Sequence, residues 1–335
     1  MAVPIAAGPF SGPTDTVNGP DPAIPGNSVD FVEWADAIDA DRTSFAPRGS
    51  TSISTTGFNS LGDLDASEID GGVTPGFLTV TFPTGIGNGD GADFAVFENG
   101  FVFPGDPNLF AELAYVEVSS NGNDFARFPS ISTNTTFVGT FGQAFGGFDA
   151  TNIYNLAGKH VNGLGTPFDL DDLLDHDNVT SGAIDLDNIQ YVRLVDIPGN
   201  GSFLDSEGNP ILDAWLTTGS GGFDFRLPAG QGIGVIHLAA PSDLPGDYDG
   251  DGFVSQADLN LVLLNWGDTT LPAGWLAADQ FDGVAISQNE LDGVLLNWGE
   301  GTPPSLTPIP EPTALSLIFI GVFGLSGRRS SPLFP

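Results

Sequence analysis

The residues Asp247-Tyr248-Asp249-Gly250-Asp251-Gly252-Phe253-Val254-Ser255-Gln256-Ala257-Asp258 put carboxylates at positions 1, 3, 5 and 12 of one short segment, with glycine at position 6. A loop of this spacing wraps hard oxygen ligands around a single point, the arrangement that a calcium-sized cation requires. Asp247, Asp249 and Asp251 are expected to ligate through their side chains, and Phe253 through its backbone carbonyl. Ser255 is expected to ligate directly or through water, and Asp258 to close the loop where a generic EF-hand has Glu. Gly252 supplies the sharp turn. Four carboxylates so close in the chain repel one another unless a cation sits among them. Calcium is the expected cofactor.

A loop of this kind needs a helix leaving it. Val254-Ser255-Gln256-Ala257-Asp258-Leu259 is echoed by Ile286-Ser287-Gln288-Asn289-Glu290-Leu291. Val262-Leu263-Leu264-Asn265-Trp266-Gly267 is echoed by Val294-Leu295-Leu296-Asn297-Trp298-Gly299, at a constant offset of 32 residues. In each copy Ser-x-x-Asp/Glu before an apolar run predicts a capped helix start, and the glycine a stop. Leu259, Val262, Leu263 and Trp266 fall on one helical stripe, and Leu291, Val294, Leu295 and Trp298 repeat it, so the two helices are expected to pack stripe to stripe. The second loop keeps Asp279 and Glu290 at positions 1 and 12. Phe281 and Gly283 stand at positions 3 and 5, and Val284 replaces the turn glycine. One strong cation site is therefore expected, not two.

Residues 247–300 resemble the type I dockerin family, in which a calcium loop and its exiting helix occur twice with Asp at position 12. The resemblance implies an EF-hand-like docking module whose partner is a cohesin-like protein, or which docks within its own chain. Val254 and Ile286 are expected, on the same resemblance, to pair between loops. The C-terminus carries Pro310-Glu311-Pro312, an apolar run from Ala314 to Gly327, and Arg328-Arg329. This is similar to the PEP-CTERM sorting signal of bacterial envelope proteins, which implies handling by an exosortase system and transient inner-membrane attachment. As a C-terminal apolar helix the run would be about 21 Å long, short of the ~30 Å hydrocarbon core. The double Arg fits retention on the cytoplasmic side. Met1 to Ala7 lacks a basic-then-apolar leader, so an upstream signal peptide is expected ahead of an N-terminal segment 1–28.

Composition frames the rest. Asp plus Glu total 43 against 8 Lys plus Arg, a formal net charge of −35, which excludes a nucleic acid partner. There is no cysteine, so disulfides and thiol chemistry are excluded. With 46 Gly and 26 Pro, short strands and tight turns are expected. Phe77–Phe82 and Ala114–Ser119 alternate as half-buried strands, Asn121-Gly122 signals a type I′ hairpin with Phe125 opening the return strand, and Asp93–Phe97, Gln190–Ile197 and Gly232–Leu238 are further strands. Leu170–Leu174 reads as a helical turn. The expected fold is mainly β: an antiparallel jelly-roll-like β-sandwich over residues 29–240, a linker 241–246, the two-helix module 247–300, a linker 301–309 and the sorting tail 310–329. Ala92–Gly100 and Asn155–His160 are loosely similar to surface domains that accompany such tails, which implies a galactose-binding-like jelly roll with no defined ligand; a surface polysaccharide is a further expected partner.

A non-enzymatic binding or structural protein is the first reading. The alternative is a glycoside hydrolase-like enzyme using a pair among Glu98, Glu112 and Glu117. His160, His176 and His237 show no metal-ligand spacing. Asp205 to Asp213 is open to two readings, a second calcium loop or an acidic turn.

Overall fold

The alternating apolar residues of the chain's middle region are gathered into two antiparallel sheets. The structure, a computed structural model, describes residues 8–102, 109–138, 148–216, 221–227, 231–239, 244–250, 252–272 and 274–301. Residues 302–335, which hold the expected sorting tail and nearly all of the linker before it, and Asp251 lie outside the described residues. Among the described residues no helix is long and apolar enough to cross a membrane.

Ten strands build the sheets: β1 (Ile24–Pro25), β2 (Glu33–Trp34), β3 (Ala37–Ile38), β4 (Phe77–Ile86), β5 (Phe94–Val96), β6 (Ala114–Ser119), β7 (Ala126–Arg127), β8 (Leu164–Phe168), β9 (Ile189–Asp196) and β10 (Ile233–Val235). One sheet has the order β1-β8-β5-β10-β2 and the other β7-β6-β9-β4-β3, with every pairing antiparallel. Leu78, Val80 and Phe82 of β4, Val116 and Val118 of β6, and Val192 and Leu194 of β9 meet Phe94, Val96, Phe168 and Ile233 of the other sheet in one apolar cluster. Period-2 alternation along each strand is what turns these residues to one side.

Two local expectations are corrected. β6 is buried along all six residues rather than on one face. Its other face is covered because Tyr115 joins a second cluster with Phe110, Leu113, Ile153 and Ile211, and Glu117 is clamped by Arg127 and Arg193 at 2.7 and 2.6 Å. The turn after β6 is not a two-residue type I′ turn. Ala126 pairs with Val118, so residues 120–125 form the connection and the return strand begins at Ala126. Gly122 has φ +72° while Asn121 stays in the ordinary region. The Asn121 side chain accepts from the N–H of Asn123 and Asp124, which stabilises a wider loop.

Residues ahead of 29 take part in the fold. β1 pairs with Gly165 and Leu164 of β8, and the ammonium of Lys159, fully buried, donates to Asp21 and to the Ile153 carbonyl. The expected turn near Leu170 is a 3-10 helix over Leu170–Leu173. Short α-helices occupy α1 (Ala66–Asp70) and α2 (Asp177–Thr180).

The repeat forms α3 (Gln256–Leu264) and α4 (Gln288–Leu296), each opened by the capping box expected from Ser-x-x-Asp/Glu. Val254 and Ile286 do not bond to each other by their backbones. Val254 exchanges hydrogen bonds with Glu300 and Gly299 at 3.0 and 2.9 Å, and Ile286 does the same with Asp268 and Gly267 at 2.9 and 2.8 Å. Each copy is thus closed by the residues that follow the helix of the other. The stripe-to-stripe expectation is corrected as well. Val262, Val294, Val254 and Ile286 are buried with Tyr248 and Trp275, whereas Leu263, Trp266, Leu295 and Trp298 are about half exposed. Trp275, which lies between the helices in sequence, stacks on Tyr248 with ring centroids 4.2 Å apart and takes the place that the two repeat tryptophans were expected to fill.

Candidate metal centre

Carboxylates separated by up to eleven positions in the sequence meet in the first loop. Oxygens of Asp247, Asp249 and Asp258 lie within 4.8 Å of one another. The chain turns sharply to achieve this: Gly252 has φ +80°, a conformation that a side-chain-bearing residue adopts only with strain. Asp247 accepts the N–H of Gly250 and of Gly252, both at 2.9 Å. Asp258 accepts from Tyr248 at 2.7 Å, Asp249 at 3.1 Å and Ser255 at 2.8 Å. It therefore closes the loop and caps α3 at once. An ionised carboxylate offers about four lone-pair sites, so these bonds leave capacity for a cation.

The electrostatics favour one. Asp247 and Asp258 are fully buried. Burial pushes the Asp258 carboxyl above its ordinary range, against three backbone N–H groups that lower it, and the charge of Asp247 adds to the rise. At the separation found, each charge pair repels by about 3 kcal/mol at an effective dielectric constant of ~20. A divalent cation converts that repulsion into attraction. Of the other expected ligands, Phe253 sits where the loop bridges to Gly301. The hydroxyl of Ser255 accepts from the Ala257 N–H as the helix N-cap.

The second loop diverges as its sequence indicates. Glu290 is buried, and its Oε2 accepts from the backbone and hydroxyl of Ser287 at 2.7 and 3.1 Å, a pure helix cap. Phe281, at the position of a ligand, packs edge-on to Trp275. The side chain of Asp279 lies outside the described residues. One loop gathers charge and the other plugs the core. Tyr248 joins them by donating to the Glu290 carbonyl at 2.9 Å, and the β region reaches the first loop through Asn188, which donates to the Gly250 carbonyl at 2.9 Å.

The remaining sequence candidates scatter. Asp205 accepts from Ser132, Glu207 and Asn209 at the tip of the Asn200–Leu204/Pro210–Leu212 hairpin, while Asp213 turns inward to the Leu113 N–H. The two acids thus have separate hydrogen-bond partners. Glu117 is consumed by its two arginines and does not face Glu98 or Glu112. Glu98 and Glu112 do converge, and with a residue that spacing alone does not single out, Asp224. His160 is buried against the Asp21 carbonyl, His176 caps α2, and His237 contacts Asp93, so the histidines share no site. The chain matches no family model, and neither a curated protein nor a solved structure is significantly similar to it.

Proposed function

We propose that the chain is an exported cell-surface or extracellular-matrix-associated protein. In this reading a jelly-roll-like β-sandwich is the binding or structural part, a calcium-dependent dockerin-like module is the docking part, and an exosortase-type C-terminal signal directs placement. The observation that carries it is the convergence of Asp247, Asp249 and Asp258 at the start of a reciprocally closed two-helix repeat. Calcium held there stiffens the loop that caps α3 and so presents the outer faces of both helices. Those faces suit a protein partner. Leu264 and Leu296, equivalent in the repeat, are each 83% exposed, and Trp266 and Trp298 each 49%. An apolar aromatic surface of this kind matches a cohesin-like domain better than solvent.

The test is calorimetry of the full chain against a panel of cohesin domains, with calcium and with chelator. Binding that needs calcium and is lost in Leu264→Asp/Leu296→Asp supports docking; no binding under either condition refutes it. For placement, deletion of residues 310–335 is expected to release folded protein to the medium. Retention at the cell surface after deletion refutes the sorting role. The glycosidase alternative has less support: Glu98 and Glu112 are 7% and 3% exposed, and the cavity that Glu98 lines measures 240 Å³, below the ~300–1,000 Å³ of ordinary ligand clefts.

A further inference from the structure

The ends of several strands in the β region bring acids together away from the loop. Glu98 follows β5, Glu112 precedes β6, Asp196 ends β9, Asp213 follows Pro210–Leu212, and Asp224 opens a short strand (Asp224–Arg226) paired with Phe58–Ser60. All five are at most 7% exposed. Oxygens of Glu98, Glu112 and Asp224 lie within 4.8 Å of one another. Charges of Glu98, Asp224, Asp196 and Asp213 act on Glu112, and those of Asp196, buried Asp63 and Glu98 on Asp213, so the five share one electrostatic neighbourhood with Asp63.

Among the described residues, three of the five follow one hydrogen-bonding pattern. Glu98 has Oε2 held by the Gly100 N–H, while Oε1 is buried with no partner. In Asp196, Oδ1 accepts from the Phe223 N–H at 2.7 Å, and Oδ2 has no partner. Asp213 has Oδ2 on the Leu113 N–H at 2.7 Å, and Oδ1 has no partner. Oε1 of Glu112 is likewise without a partner among the described residues. Asp224 is oriented by Ser60 and by Asn99 Nδ2 at 2.8 Å. In Glu98, Asp196 and Asp213 one oxygen is fixed by the protein and the other is unpartnered, as second-shell bonds do for a metal-ligating carboxylate, whereas both oxygens of Asp224 are engaged. The backbone makes room: Gly199 and Gly222, at φ +72° and +70°, pass so close that a Cβ would strike Asp213 and Asp196.

Buried acceptor oxygens without donors are costly, and like charges at this range more so. Glu98, Glu112, Asp196 and Asp213 form no ion pair among the described residues. Two remedies exist, protons or a cation. Burial, then the neighbouring negative charge, pushes the Glu98 and Glu112 carboxyls well above their usual range. Protons satisfy such oxygens only pair by pair, as in a carboxyl–carboxylate dyad. A cation satisfies several at once, and a cavity of 240 Å³ lined by Phe58, Phe97, Glu98, Asn99, Asp224 and Arg226 lies against two of the three acids. We infer that Glu98, Glu112 and Asp224, flanked by Asp196 and Asp213, hold a calcium-class divalent cation that ties these strand ends together. The donors are all oxygen, which excludes a soft-metal site, and a set of carboxylates able to bind through one or both oxygens suits calcium better than the tight octahedron of magnesium.

The test is native mass spectrometry of the full chain, stripped with chelator and returned to calcium, with Asp249→Ala silencing the loop site. The wild type is expected to hold two ions, Asp249→Ala one, and Asp249→Ala/Glu112→Gln none. If the loop holds no ion, wild type and Asp249→Ala both hold one, and this inference stands while the loop reading falls. An Asp249→Ala chain that takes up no calcium overturns it, as does a count unchanged by Glu112→Gln. Hydrogen exchange in the Asp249→Ala chain decides the matter even if the Gln variant does not fold. The amides of Gly100, Leu113 and Phe223 are expected to slow at least tenfold with calcium, and no slowing overturns the site.

Discussion

Asp258 and Glu290 are equivalent in the repeat, and comparing them isolates the cation. Both carboxylates cap their own helix, but among the described residues only Asp258 stands with two other acids. Asp258→Asn removes the charge, keeps one acceptor oxygen and sets an NH₂ against backbone donors, so it costs the cap about 1–2 kcal/mol. It also removes the linkage to calcium, about 2.7 kcal/mol when free calcium is 100 times its dissociation constant. Glu290→Gln costs the cap a similar ~1 kcal/mol and leaves the calcium term intact. Native-state hydrogen exchange of the α3 amides Leu259–Leu264 in the full chain reads both. In the wild type and in Glu290→Gln, calcium is expected to slow exchange by about 100-fold at that saturation. In Asp258→Asn, exchange is faster at the outset and indifferent to calcium. A full calcium response in Asp258→Asn, or its loss in Glu290→Gln, refutes the assignment of the ion to the first loop.

Three further outcomes are expected. Lys159→Met leaves Asp21 charged and buried without its partner and is expected to destabilise the chain by about 3–5 kcal/mol, read from chemical denaturation; a change below 1 kcal/mol contradicts the pairing. His160 is held down to about 4 from 6.5, first by burial and then by the charge of Lys159, against Asp21. Between those values the unfolded chain binds a proton that the folded chain refuses. Stability therefore falls as pH drops through the window, by roughly 3 kcal/mol from this group. His160→Gln should flatten the profile relative to wild type, and parallel profiles count against the reading. Calcium-dependent fluorescence is expected to come from Trp275, stacked on loop residue Tyr248, so Trp275→Phe abolishes the change while Trp266→Phe and Trp298→Phe preserve it; the opposite result places the response on the outer helix faces.

The first loop and both helix starts were legible because their chemistry is local. Asp258 reaches Ser255 three residues back and the loop amides within ten, so residue type and spacing suffice. The same locality exposed Phe281 and Val284 as departures in the second loop. The strands β4 and β6 were legible from alternation, although alternation gives a period and does not say what covers the outer face, which is why the burial of Tyr115 and Glu117 was missed. The helical stripes failed for a related reason. Leu263 and Trp266 have the right spacing to be buried, but Trp275, Tyr248 and Phe281 occupy that volume, and which apolar residues win a small core is settled by packing. Sequence by itself determined the acid-rich loop, the capped repeat and the mainly β character, all set by contacts within about a dozen residues. Only the tertiary structure decided that Glu98, Glu112, Asp196, Asp213 and Asp224 share one place, because strand ends far apart in the chain meet through sheet order, and no period or motif in the sequence encodes that meeting.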